Sequence, residues 1–197
     1  MRIYSCNDDF GIDNMLLKSR PVFFIVIAAM FSTIALQRNI VWGGRAAIWL
    51  DATQKSPRKA RPHVNVGLFY DMTGDLDNAQ HEYKRAIQLE PDYLSPYGPL
   101  AVIYGKKGDI DTAIYMLLWT IERLPGKDPK LNTALGVAYR AKGRLKEAEI
   151  EFQKALMINP YYATAHYNLA QVYEEMGLKD EALKHYRSFF ETPTPNP

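Results

Sequence analysis

Residues 60–93 read ARPHVNVGLFYDMTGDLDNAQHEYKRAIQLEPDY, and the fold follows from how this stretch is divided. Val66 and Tyr70, then Tyr83 and Ala86, step by four and by three, which gathers one apolar stripe on each of two helices. Gly74 stands between them, where a helix must stop and reverse through a positive φ that penalises a Cβ. Pro91 closes the second helix, because it supplies no amide hydrogen and its ring clashes with the preceding turn. The unit is a helical hairpin, too small to bury a core by itself.

The pattern recurs along the chain. Pro57, Pro91, Pro125 and Pro160 are 34, 34 and 35 residues apart, a period of stacked supersecondary units. Gly67, Ala101, Gly136 and Ala170 each precede a glycine by seven residues (Gly74, Gly108, Gly143, Gly177). Each of those glycines precedes an alanine by five (Ala79, Ala113, Ala148, Ala182), and four residues later stands Tyr83, Leu117, Phe152 or Tyr186. Small residues let two helix axes approach, and the large side chain fills the space beside them.

Val66-Gly67, Tyr70, Gly74, Ala79, Tyr83, Ala86 and Pro91, repeated as Leu135-Gly136, Tyr139, Gly143, Ala148, Phe152, Ala155 and Pro160, resemble the tetratricopeptide repeat (TPR). Four copies are expected within 60–190, at 60–93, 94–128, 129–162 and 163–195, with 191–197 a disordered tail. The resemblance implies an all-α fold, a right-handed α-solenoid of helix pairs, and a role in binding other proteins along a concave groove lined by the first helix of each pair. Projected onto this chain, the groove residues are Arg61, Asn65, Leu68 and Met72; Ser95, Val102 and Lys106; Lys130, Thr133, Val137 and Arg140; and Thr164, Tyr167, Asn168 and Gln171. Lys106, Lys130 and Arg140 suit an acidic group or a C-terminal carboxylate on an extended peptide; the plainer alternative is a solvated basic face. The carboxylate clamp of chaperone-binding TPR proteins would need a Lys and an Asn where Val64 and Leu68 stand.

Two departures carry information. Ser95-Pro96-Tyr97-Gly98-Pro99 would break a helix interior, so the second hairpin should begin at or near Pro96 with Ser95 as its cap. Phe189 stands where the first and third repeats have Ala86 and Ala155, and no polar capping helix follows. The last apolar face is therefore expected to be exposed, which favours self-association through the C-terminal repeat.

The segment before the array is of another kind. Residues 21–36, PVFFIVIAAMFSTIAL, are sixteen positions without a charge, between Arg20 and Arg38. The expected reading is a single membrane-spanning helix over 20–38, close to the lower limit of length, with contact to the bilayer through residues 21–37 and a disordered lead at 1–19. A cleaved signal peptide is the competing reading, but it lacks a small-residue cleavage site. Basic residues flank both ends, so the side of the membrane is undetermined. Residues 39–59 keep the repeat's phase, since Trp49, Ala52 and Pro57 have the spacing of Tyr83, Ala86 and Pro91. A capping half-repeat with a helix over 44–55 is expected; an amphipathic helix lying on the headgroups is its alternative. Arg38-Asn39, Trp42, Leu50, Lys55-Ser56-Pro57 and Ala60-Arg61-Pro62-His63 also resemble the junction after the last membrane helix of polytopic TPR proteins similar to protein O-mannosyltransferases.

No chemistry rises above this framework. Lys and Arg number 24 against 22 Asp and Glu in 197 residues, too balanced for a dedicated nucleic-acid binder. Cys6 is the one cysteine, and His63, His81, His166 and His185 are scattered, so neither a disulfide nor a metal site is offered. Asp75-x-Asp77 and Asp109-x-Asp111 lack the remainder of a calcium loop and read as helix caps and first-turn acids. No catalytic residue and no cofactor are indicated. The expected function is a non-enzymatic, membrane-tethered scaffold that binds a protein or peptide in its groove. The alternatives are an accessory region of a membrane glycosyltransferase system and a self-assembling scaffold.

Overall fold

The computed structural model describes residues 47–124 and 128–191, and among these every regular element is a helix. The repeats belong to one compact unit that begins at Trp49. A helical run, α1, covers 47–55. It is followed by α2 (Ala60–Thr73), α3 (Leu76–Leu89), α4 (Tyr97–Lys106), α5 (Ile110–Arg123), α6 (Pro129–Ala141), α7 (Leu145–Ile158), α8 (Ala163–Glu175) and α9 (Lys179–Glu191). Successive pairs α2–α3, α4–α5, α6–α7 and α8–α9 form the hairpins, and each hairpin packs on the next through α3–α4, α5–α6 and α7–α8. The first helices also touch in succession, α4 with α6 and α6 with α8, which puts them on the inside of the curve.

Each hairpin is seated by one contact. In the first, the ring of Tyr83 lies so close to Gly67 that an added Cβ would stand 2.8 Å from a ring carbon. In the third, a Cβ added at Gly136 would stand 2.7 Å from a ring carbon of Phe152. Both rings are fully buried, as are Ala79, Ala86, Ala148 and Ala155 around them. Where the seat residue is alanine the partner changes: Leu117 shares a buried cluster with Ala101 in the second hairpin, and Tyr186 of the fourth is only half-buried. The turn glycines adopt the left-handed conformation expected of them, Gly74 at φ 84° and Gly143 at φ 71°.

A second link joins residues 19 apart in three of the four hairpins. His63 Nδ1 lies 2.7 Å from Glu82 Oε2, Asn132 Nδ2 donates to Glu151 Oε2 at 2.8 Å, and His166 Nδ1 lies 2.9 Å from His185 Nδ1. The second hairpin has Tyr97 and Met116 there, which line a small pocket with Tyr115 and Trp119. The residue types vary while the position is constant.

Helix ends follow the acids. Asp75 accepts from the Asn78 amide at 3.2 Å, and Asp109 accepts from that of Thr112 at 3.2 Å. Side-chain and backbone hydrogen bonds from Asn78 hold the Asp75 carboxyl below its ordinary range. In the second hairpin α4 starts at Tyr97, next to the expected Pro96, but the expected cap is corrected: Pro96 and not Ser95 occupies the cap position, with no side-chain capping bond. Tyr97 N–H, one of the two amides a Ser95 cap would serve, already donates to the Leu94 carbonyl at 3.2 Å.

The expectation of a single-pass membrane protein is corrected. No helix among the described residues is long and apolar enough to cross a membrane. The repeat helices have 10 to 14 residues, and a 14-residue helix is about 21 Å long against a hydrocarbon core of about 30 Å. The stretch 20–38, the lead 1–19, the first part of the expected 44–55 helix, Pro125 and residues 192–197 lie outside the described residues.

Gly136→Ala is expected to lower stability by about 1–3 kcal/mol, because the Phe152 ring has no free direction in which to retreat. Urea unfolding should recover part of the loss in Gly136→Ala/Phe152→Leu, which reproduces the Ala101–Leu117 seat. Asn132→Ala leaves the buried Glu151 carboxylate with Lys154 as its remaining partner and should cost about 2 kcal/mol. The double replacement Asn132→Leu/Glu151→Met should be closer to wild type in the same measurement.

Candidate functional site

The inner face carries an apolar stripe at one repeating position. Leu68, Val102 and Val137 each follow the seat residue by one, and Leu68 and Val137 are 45% and 43% exposed. Met72, one turn beyond Leu68, is 50% exposed. Between the second and third hairpins the stripe opens into a recess of about 350 Å³, walled by Val102, Gly105, Ile110 and Leu117 on one side and Ala134, Val137, Ala138 and Ala141 on the other. Five of its lining residues are alanine and one is glycine, and the missing side-chain volume is what makes the hollow.

The charges beside the stripe are organised by the repeat period. Lys106 Nζ lies 2.6 Å from Asp71 Oδ1, one repeat earlier. Arg140 Nε lies 2.7 Å from Glu175 Oε1, one repeat later, and its Nη1 donates to Gln171 Oε1 at 2.6 Å. A second ladder joins Lys107 to Asp77 at 2.5 Å and Lys142 to Asp111, so first-turn acids of one hairpin hold the turn lysine of the next. Of the three cations singled out from the sequence, two are therefore matched by carboxylates of their own chain. Lys130 is the exception. It is exposed, one turn before Ala134 on α6, whereas the lysine that lines the recess is Lys106.

The other expected groove residues are spread along this face. Arg61, Ser95 and Thr164 are exposed at the position equivalent to Lys130, and Asn65 is half-buried beside Leu68. Thr133 is buried, and its hydroxyl donates to the Pro129 carbonyl at 2.8 Å, so it offers nothing to a partner. Asn168 donates to the Thr164 carbonyl at 2.7 Å. Tyr167 is packed against Tyr186 and Phe189, with centroids 5.9 and 5.3 Å apart, and Gln171 donates to its hydroxyl at 3.3 Å. The Tyr186 hydroxyl donates to Glu174 at 2.7 Å, and that bond pushes its pKa up to about 12.

The sequence reading missed Asp71 and Glu175, which neutralise the groove cations, and the small residues that shape the recess. The signal for the first was an opposite charge 35 positions away. For the second it was alanine or glycine at 101, 105, 134, 138 and 141.

Family models for the tetratricopeptide repeat match residues 60–93 and 164–192, and one described as TPR repeat matches 136–177. The chain carries tetratricopeptide repeats. Its architecture is an all-helical TPR solenoid, the form of a protein-interaction scaffold. Superkiller protein 3 of Schizosaccharomyces pombe is 25% identical over 142 residues, 69% of this chain, and the chain spans about a tenth of that protein's length, 10%. Among solved structures, MamA 41-end from Desulfovibrio magneticus RS-1 superposes with a TM-score of 0.66 at 18% identity, covering 79% of this chain and 89% of its own. A MamA AMB-1 structure gives 0.63 at 24%, covering 79% and 91%. Another gives 0.54 at 28%, covering 68% and 79%.

Asp71→Asn and Glu175→Gln should each lower stability by less than about 1 kcal/mol, since the partners are partly solvated. Urea titration should show the loss shrinking further near about 1 M salt, where such pairs are screened in wild type as well.

Proposed function

We propose that this chain holds a peptide segment of a partner protein in its concave groove, with an aliphatic side chain of that segment seated in the recess between the second and third hairpins. The apolar hollow walled by Val102, Ala134 and Val137 supports the reading. It can receive a leucine- or isoleucine-sized group without displacing a charge, and such burial contributes about 1.5–3 kcal/mol. The electrostatic share is narrower than a basic face would give. Lys106, which lines the hollow, and Arg140 already have carboxylate partners, so an acidic residue on the segment meets Lys130, exposed one turn before Ala134 on α6.

The junction resemblance to O-mannosyltransferase-like TPR proteins adds no groove chemistry. Its last matched residues, Ala60 to His63, make the first turn of α2, where Ala60 N–H donates to Glu90 at 3.0 Å and His63 meets Glu82. A second reading, self-association through the C-terminal repeat, rests on Leu183 and Phe190, which α9 leaves exposed.

Random peptides displayed on phage and selected on the immobilised full chain should converge on an aliphatic residue with an acidic neighbour. A synthetic peptide of that sequence, followed by fluorescence anisotropy, should lose roughly tenfold or more in affinity to Val137→Glu, a buried unpaired charge at the contact. Lys130→Ala should lose several-fold, with a reduced salt dependence. Selected peptides with no aliphatic position, or affinity indifferent to Val137→Glu, would remove the recess from the account.

A further inference from the structure

The fourth hairpin is linked by two imidazoles, a pairing that neither the TPR framework nor the groove reading uses. His166 Nε2 lies 3.0 Å from the Pro160 carbonyl oxygen, which can only accept, so Nε2 carries a hydrogen. The neutral ring then presents a bare Nδ1, and the bond of 2.9 Å to His185 Nδ1 requires the hydrogen to come from His185. We propose that the His166–His185 pair is a proton-operated clasp on the last hairpin, closed while the pair holds at most one extra proton and opened by the second.

The stoichiometry follows from the geometry. One proton taken from solvent is accommodated, because it can add to the vacant Nε2 of His185 while His185 goes on donating from Nδ1 to the bare Nδ1 of His166. A second proton places N–H groups on both Nδ1 atoms. Two donors then face each other across 2.9 Å, and two cations stand with ring centroids 5.2 Å apart. The bond is lost and repulsion replaces it.

The surroundings do not relieve the charge. His185 stacks on Tyr173 of α8 with centroids 5.5 Å apart, and the Tyr173 hydroxyl is engaged by Glu149 and Gln153 of α7. On α9, Lys184 opposes a charge on His185 and Glu181 favours it; on α8, His166 opposes it. Burial is the largest influence and His166 the next, and together they hold His185 below the ordinary imidazole value. The unfolded chain therefore takes up protons first. The hairpin keeps its full stability above about pH 6.5 and loses it as pH falls through the lower, folded value.

The other hairpins lack this response. The first has a carboxylate, Glu82, opposite His63, and a protonated imidazole there gains an ion pair; the third has Asn132 and Glu151. The clasp also sits where little else holds: Ala182 is the buried residue of α9. Because α9 carries Tyr186 and Phe189 against Tyr167, its release would loosen the C-terminal end of the inner face.

Residue-resolved amide exchange on the full chain tests this. Between about pH 7.5 and pH 5, protection factors in α9 should fall about tenfold more than those in α2 to α7. His185→Phe, which keeps a ring over Tyr173 but cannot be protonated, should abolish the difference. A carbon-detected imidazole titration of wild type should show two separated steps for the pair, which needs no variant to fold. Uniform protection at both pH values, a loss shared equally by all hairpins, an unchanged response in His185→Phe, or two independent titrations near the ordinary value would each overturn the clasp.

Discussion

A ring resting on a backbone that lacks a Cβ is the constraint on which the array depends. Tyr83 over Gly67 and Phe152 over Gly136 fix how far apart the two helices of a hairpin lie, because neither ring can approach further and a methyl group would hold it off. The neighbouring alanines, Ala79 and Ala86 or Ala148 and Ala155, then fall into full burial at the crossing. Once that distance is set, the turn glycine has one conformation that closes the hairpin, and the next first helix finds a surface of defined shape. The second hairpin meets the same demand with Ala101 under Leu117, trading ring for branched chain as the seat residue gains its methyl.

Regular spacing in the core makes the surface regular too. Asp71 reaches Lys106 and Arg140 reaches Glu175 because residues 35 apart are neighbours on adjacent first helices, while Lys107 and Lys142 reach acids 30 and 31 positions earlier. Each pair is partly solvated and individually weak. Their structural consequence is register: the turn of one hairpin is held to the first turn of the preceding second helix. Their functional consequence is that the inner face is less basic than its sequence, and the apolar stripe of Leu68, Val102 and Val137 becomes its dominant chemistry.

The hairpins were legible in the sequence because glycine, alanine and aromatic positions are constrained by sterics, and sterics restrict residue type. The links between residues 19 apart were not, because the site demands only two side chains that can meet; His–Glu, Asn–Glu and His–His all satisfy it. Groove cations were visible singly and their partners were not, since nothing local in Lys106 or Arg140 announces a carboxylate one repeat away. Ser95 misled for a related reason: it has the side chain of a cap, but the Tyr97 amide such a cap would serve is already taken by the Leu94 carbonyl. The recess was hidden because it is made of what alanines at 134, 138 and 141 leave empty.

The two ends of this logic meet in the last hairpin. At the position where inner repeats bury Ala86, Thr120 and Ala155 with at most 1% exposure, α9 has Phe189. A small residue there lets the following first helix approach; a ring packed on Tyr167 and Phe190 occupies that volume instead. A fifth hairpin could not dock in the geometry of the first three joints without moving those rings. Self-association that copied the internal repeat contact meets the same obstacle, so an assembly through α9 would have to use the outward-facing Leu183 and Phe190 in a different packing. Among the described residues α9 packs on α8, and it is held there by the Tyr186 hydroxyl bond to Glu174, the aromatic contacts with Tyr167 and the pair of imidazoles. The hairpin whose outer helix carries Phe189 in place of a small residue is thus also the one whose polar link depends on the state of two titrating groups.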